Sequence, residues 1–328
     1  MSYRQKNLVV ALSGGVGGAK LALGLSRVLP PGDLMLAVNT GDDFEHLGLH
    51  ISPDIDTILY TLSGLANLTM GWGRRDETWN FMKALNELGG ATWFQLGDMD
   101  LAIHVERSWR LKNGETLSHI TDEFARRLGI AARIVPMSDD PVRTKVRTPD
   151  GWLNFQNYFV ERKCEPVVEE LAFEGSEQAK PHPDFVAALS DPRLRAVVLC
   201  PSNPFLSLDP ILAIPGVREM IRKTHAPVVA VAPIIGGAAI KGPTAKIMRE
   251  LGLEVDAATV ARLYHDLIDG YILDPADSAS AASLSVKTVC EPALMVTLED
   301  RDRLARAVLD IADRLAEHPL PRLTNPGL

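Results

Sequence analysis

The sequence predicts an α/β protein, a mainly parallel three-layer sheet domain carrying an inserted helical subdomain. Continuous apolar runs at Leu8–Leu12, Leu34–Val38, Ala132–Val135, Ala196–Cys200, Val228–Ala232 and Tyr271–Leu273 suit strands buried on both faces. Helical patterns lie between many of them, for example Val217–Lys223 and Thr244–Leu251, as parallel strands joined by crossovers require. A third observation sets the middle of the chain apart. From Thr57 to Leu128, helical spacing recurs at Ile58–Leu62, Glu77–Leu88 and Leu117–Leu128, with Gly89 and Gly129 near two of the ends and no convincing strand.

The expected division is therefore residues 1–56 and 129–328 for the sheet domain and 57–128 for the insert. Thr144–Arg147 and Trp152–Val160, joined through Pro149-Asp150-Gly151, read as a hairpin that makes the sheet mixed or forms a small flap. Arg301–Leu315 reads as an amphipathic C-terminal helix.

Composition narrows the class. With 328 residues, 46% of them hydrophobic, the chain can bury a sizeable core. A net charge of −8 without a basic block argues against a nucleic-acid surface. Cys164, Cys200 and Cys290 are odd in number and form no CxxC pair, which suits a reducing compartment. The first strand begins within ten residues, and the apolar stretch from Ala226 to Ile240 is broken by Pro227 and Pro233. A cytoplasmic protein without a membrane partner is expected.

The run Ser13-Gly14-Gly15-Val16-Gly17-Gly18-Ala19-Lys20 directly follows the first strand and precedes a helical pattern. Backbone N–H groups at such a strand-to-helix turn point at a phosphate. Glycine allows close approach and positive φ. Neither a dinucleotide fingerprint nor a P-loop fits: the third fingerprint glycine would fall on Lys20, and Lys20 is followed by Leu21. The first mismatch argues against a nicotinamide dehydrogenase.

Ligands of parallel sheets bind beyond the carboxyl ends of the strands. After Val38 the chain reads Asn39-Thr40-Gly41-Asp42-Asp43, then His46, His50, Asp54 and Asp56. Hard carboxylate oxygens suit Mg2+, and one carboxylate could orient or deprotonate an attacking hydroxyl. Ser52-Pro53-Asp54 is equally a helix start, capped by Ser52 or Asp54. His46 and His50 stand four apart, as zinc ligands on one helical turn would, but Gly48 intervenes and no third ligand is evident. Further loops repeat the theme: Gln95-Leu96-Gly97-Asp98-Met99-Asp100, Met137–Thr144, Pro201-Ser202-Asn203-Pro204, and Ile234-Ile235-Gly236-Gly237 leading to Lys241, a lysine within reach of phosphate.

The ordered blocks GGVGGAK, VNTGDD, SPDIDTILY, LGDMDLAIH, MSDDPVRT, PSNPFLSLDPIL and PIIGGAAIKGP resemble those of the 2-phospho-L-lactate transferase family of deazaflavin coenzyme (F-420) biosynthesis. The resemblance implies a Rossmann-like fold with a helical insert, a homodimer and a requirement for Mg2+. It also implies transfer of a phosphorylated three-carbon acid from its guanosine diphosphate ester to the ribityl hydroxyl of 7,8-didemethyl-8-hydroxy-5-deazariboflavin, with release of guanosine monophosphate. By position, Asp56 and Gln95 match deazaflavin contacts, although the family more often carries lysine or arginine at the position of Gln95. Asp42 and Asp43 match carboxylates near the transfer site and are the expected metal ligands. Ser202, Asn203 and Pro204 match the guanine-nucleotide end. Gly14, Gly15, Gly17, Gly18 and Lys20 would cradle the diphosphate, with Asp98, Gly236 and Gly237 completing the ligand-binding set. The competing member of the same superfamily is a gluconeogenesis-factor branch resembling a nucleotide-sugar-binding regulator, whose glycine block reads differently.

Overall fold

The computed structural model of the chain describes residues 6–240 and 242–318. Its main sheet is built from β1 (Leu8–Ser13), β2 (Leu34–Val38), β3 (Arg133–Pro136), β4 (Leu194–Leu199), β5 (Val228–Val231), β6 (Gly270–Leu273) and β7 (Lys287–Cys290). The order across the sheet is β7-β6-β5-β4-β1-β2-β3, and every pairing is parallel. The chain winds outward from β1 through β2 to β3, then returns to the other side of β1 and winds outward again. Connections after β1 and β4 therefore diverge, and a crevice opens between them at the carboxyl ends of the strands.

Alternation along β1 builds two cores. Leu8, Val10 and Leu12 face one buried cluster together with Phe185, Val217, Ile221, Ile247 and Val260 from helices on that side. Val9 and Ala11 face the other. There they meet Leu21 and Leu25 of α1 (Gly15–Val28), Ile55 and Leu59 of α2 (Pro53–Leu62), Ile120 and Phe124 of α5 (Leu117–Arg127), and Leu304 and Val308 of the C-terminal helix Leu298–Glu317. These are the three layers of a Rossmann-like α/β fold.

The insert shares its helices unevenly with the sheet. α2 begins at Pro53, before the expected boundary at 57, and like α5 it covers the sheet. Of the two helices between them, α3 (Asn80–Glu87) and α4 (Asp100–Lys112), α3 places Met82 in a separate small cluster with Ile51 and Leu96.

Three local expectations change. The second arm of the hairpin ends at Asn154, and the chain then turns helical through a π-turn at Asn157–Glu161. Phe155 and Tyr158, both buried, follow helical rather than strand spacing. The arms Arg143–Thr148 and Gly151–Asn154 join Glu170–Glu174 in a separate antiparallel flap, so the main sheet stays wholly parallel. Finally, His46 and His50 lie on a tight hairpin, Phe44–His46 with Leu49–Ile51, turned through Leu47 and Gly48 at positive φ. Glu45 pairs with His50, so His46 and His50 face opposite sides of this hairpin. Among the described residues no group of three or more His, Cys, Asp or Glu side chains forms a metal cluster. None of the described helices is long and apolar enough to cross a membrane.

Candidate active site

A cavity of about 560 Å³ occupies the crevice. It is floored by the turn from β1 into α1, which three glycines make possible by packing rather than by flexibility. A Cβ on Gly14 would lie 2.5 Å from Asp54 Oδ2, one on Gly17 would lie 2.4 Å from the Pro201 carbonyl oxygen, and one on Gly18 would lie 2.4 Å from both Ser13 Oγ and Ser202 Oγ. Gly15 is required differently, by its φ of 64°.

Protein groups already occupy the first two amides of the turn. Gly14 N–H donates to Ser202 Oγ at 3.2 Å, and the Ser202 hydroxyl donates to the Gly14 carbonyl at 2.8 Å. Gly15 N–H donates to Asp54 Oδ1 at 2.7 Å. Val16 and Gly17, next in the first turn, line the cavity, and first-turn N–H groups have no acceptor within their own helix. Lys20 also lines the cavity, but its ammonium donates to the Met295 carbonyl at 2.8 Å.

Asp54 thus does more than start a helix. Ser52 takes the N-cap position of α2 and Pro53 the first turn, yet neither Ser52 nor Asp54 caps that helix with its side chain. The Ser52 hydroxyl donates to Asp43 at 2.9 Å, while Asp54 reaches across to α1 and accepts a second bond from Asn39 Nδ2 at 2.9 Å. Asn39 Nδ2 also donates to the Leu206 carbonyl, locking the loops after β1, β2 and β4 together.

Two carboxylates share the buried end of the cavity. Burial pushes the Asp54 carboxyl up to about 6, against the stabilising bonds from Asn39 and Gly15 N–H. Asp42 is raised well above the usual carboxylate range by burial first and by the Asp54 charge second. Among the described residues, Asp42 Oδ1 is buried without a hydrogen-bond partner. Asp43 faces elsewhere: it holds His50 Nε2 at 3.2 Å and the Ser52 hydroxyl, and does not line the cavity.

A second polar group stands on α2 and α4. The Arg107 guanidinium grips both oxygens of Asp56, Nη1 to Oδ2 at 3.1 Å and Nη2 to Oδ1. His104 stands 3.6 Å from Asp56 through Nδ1 and 3.3 Å from Asp100 through Nε2, and Tyr60 donates its hydroxyl to Asp100 at 2.5 Å. Asp56, Tyr60, Asp100 and His104 all line the cavity.

Of the residues singled out from sequence, the cavity brings together Gly14, Gly15, Gly17, Lys20, Asp42, Asp56, Gln95, Ser202 and Asn203. Gly18, Asp43, Asp98, Pro204, Gly236 and Gly237 do not line it. Asp98 instead accepts the Thr78 hydroxyl and the N–H groups of Phe81 and Asn80 at the start of α3, bonds that draw its carboxyl down to about 2. Pro204 opens the π-turn Pro204–Leu208, which Asn203 caps through Phe205 and Leu206 N–H. Gly236 and Gly237 form the turn of the hairpin between Ile234–Ile235 and Ala238–Ala239, and Gly236 N–H donates to Asp277. Beyond that hairpin Ile240, Gly242, Pro243 and Thr244 line the cavity; Lys241 lies outside the described residues. Sequence reasoning missed the role of Asp54, the partner Arg107, and Phe155, Gln156 and Phe159, which the flap brings to the cavity wall.

The family model for 2-phospho-L-lactate transferase CofD matches residues 9–311, from β1 into the C-terminal helix. The chain belongs to this family. The match classes it as a transferase and sets the dehydrogenase reading aside. A phosphoenolpyruvate transferase of Kitasatospora aureofaciens is 39% identical, covering 94% of this chain and 98% of that protein. The 2-phospho-L-lactate transferases of Methanocaldococcus jannaschii and Methanosarcina mazei are 35% and 36% identical, covering 94% and 92% of this chain and 99% of each relative. A crystal structure of a UPF0052 family member from Bacillus halodurans superposes with a TM-score of 0.63 at 14% identity, over 93% of this chain and 99% of that one, a likeness of fold.

Proposed function

We propose that this transferase moves a phosphorylated three-carbon acid, a phospholactyl or phosphoenolpyruvyl group, from its guanosine diphosphate ester to the ribityl hydroxyl of 7,8-didemethyl-8-hydroxy-5-deazariboflavin. The carrying observation is the crevice, where the start of α1 and the buried pair Asp42 and Asp54 line one cavity. Relatives named for both acids, each matched over almost its full length, support the substrate class over the nucleotide-sugar regulator.

Charge supports a metal. The described lining carries Asp42, Asp54 and Asp100 against Lys20, with Asp56 offset by Arg107, so a diphosphate anion enters more favourably with a cation. The unpartnered Asp42 oxygen and the raised carboxyls of Asp42 and Asp54 fit Mg2+, which binds through one or two carboxylates plus phosphate oxygens. Asp54 thereby replaces Asp43 as the second ligand we assign. When bound, Mg2+ offsets the negative charge of the diphosphate.

The chain's own share is positioning and charge. First-turn amides of Val16 and Gly17 face the diphosphate, and Ser202 and Asn203 stand toward the nucleotide end. Asp56 orients the acceptor hydroxyl. The hydroxyl oxygen forms the new P–O bond in line as the bond to guanosine monophosphate breaks; its proton passes to the Asp56 carboxylate and on to solvent, and the product is a phosphodiester. Mass spectrometry of products made from the deazaflavin with each guanylated acid tests this reading. A mass gain equal to one phospho-acid less one water, with guanosine monophosphate released in equal amount, is expected; no adduct with any of these donors would refute it.

A further inference from the structure

Arg107 has no exposed surface and does not line the cavity, yet it grips a carboxylate that does. Among the described residues its Nε has no hydrogen-bond partner. A buried ion pair seldom stabilises a fold more than apolar residues of the same size would, so stability alone is a poor reason for this arginine. Carboxylate geometry gives a better one. Asp56 offers about four lone-pair positions: the guanidinium fork takes two, and His104 Nδ1 stands 3.6 Å from Oδ2. The imidazole is beyond hydrogen-bond reach, so one position on each oxygen remains open, and Asp56 lines the cavity.

The scaffold behind Arg107 is itself pinned. Glu77 accepts Met99 and Asp100 N–H at 2.8 and 2.7 Å at the start of α4, and Ser108 Oγ accepts His50 N–H at 2.7 Å one residue past Arg107. His104, a turn earlier, stands between Asp56 and Asp100, and Asp100 is held by the Tyr60 hydroxyl.

We propose that Arg107 is a positioning residue: its two-pronged bond fixes the rotation of Asp56 so that one oxygen meets the acceptor hydroxyl. This rests on the reading of Asp56 given above. A lysine at 107 keeps the charge but supplies a point donor in place of a fork, and so leaves that rotation free.

The test is a double-substitution cycle read as kcat and KM with the guanylated donor and the deazaflavin. Arg107→Met and Arg107→Lys are expected to lower kcat about 10- to 100-fold with donor KM and GDP affinity unchanged. In an Asp56→Asn background, which removes the buried charge that Arg107→Met would leave unpaired, Arg107→Met is expected to lower kcat no further. Arg107→Lys at wild-type kcat, or full additivity of the two losses, overturns the proposal. Should Arg107→Met fail to fold, Arg107→Lys and the doubly substituted protein still decide the question. Absence of turnover in the wild-type protein would remove the underlying reading of Asp56 and this proposal with it; wild-type turnover with an additive cycle removes this proposal alone.

Discussion

Asp54→Asn removes a charge from the buried end of the cavity while nearly preserving shape, and the structure sets both the size and the sign of its effect on stability. Burial raises the Asp54 carboxyl from 3.8 to about 6. The native state therefore holds this proton more tightly than the unfolded chain does, so the stabilising contribution is present below pH 3.8 and is lost as pH rises through about 6. A shift of about 2 units, at about 1.4 kcal/mol each, means that the ionised carboxylate costs the fold about 3 kcal/mol at pH 8.

Asparagine keeps an oxygen for the Gly15 N–H but turns an amide toward Asn39 Nδ2, forfeiting a hydrogen bond worth about 1 kcal/mol. The variant should thus be about 2 kcal/mol more stable than wild type at pH 8 and slightly less stable near pH 4, a swing of about 2–3 kcal/mol. Urea unfolding of both proteins in chelator, at intervals from pH 4 to 8, measures it. A stability difference that stays flat across this range, or grows toward acid, would refute the reasoning. Turnover should be lost in the same variant, because a charge that burdens the fold is the one the chemistry needs.

Chelation offers an independent check: EDTA should abolish turnover, Mg2+ should restore it, and Mg2+ with GDP should raise the melting temperature of wild type but not of Asp42→Asn. Persisting turnover in EDTA would exclude the assigned metal. Gly17→Ala probes the turn itself. Its methyl would lie 2.4 Å from a backbone carbonyl at Pro201, an overpacking of about 1–3 kcal/mol offset by about 1 kcal/mol of helix propensity. A net loss of up to about 2 kcal/mol, read by urea unfolding and accompanied by weaker GDP binding in calorimetry, is expected; a stabilised variant would show that the turn does not pack as described.

The parallel sheet was legible because its central strands are buried on both faces and so carry unbroken apolar runs, as Val9 to Leu12 and Val228 to Val231 do. The edge strand β7 escaped notice: Lys287-Thr288-Val289-Cys290 pairs on one side only and is exposed at both ends. The hairpin around Leu47 and Gly48 was hidden for another reason. Its arms are three residues long and lie inside an acidic stretch whose chemistry invites attention before its geometry does. At Phe155 to Tyr158 the aromatic content favoured a strand, and packing of alternate helical turns against the core overrode that preference.

The site was legible in place and less so in logic. The glycine run marks the point where the strand order reverses, but Gly14, Gly17 and Gly18 are demanded by Asp54, Pro201 and Ser202, protein atoms that converge there whatever ligand binds. Local pattern made Asp54 a helix cap because its true partner, the Gly15 amide, is 39 residues away in sequence. Arg107 sits among Glu106, Arg110 and Lys112 on a helix whose composition suggests a solvated face. One signal was available: Asp100, His104 and Arg107 recur at intervals of four and three, a polar stripe along one side of α4. A stripe of that kind is either the outside of the molecule or a buried polar network. Burial of all three residues decides for the network, and turns an unremarkable run of charges into the support of the Asp56 carboxylate at the cavity wall.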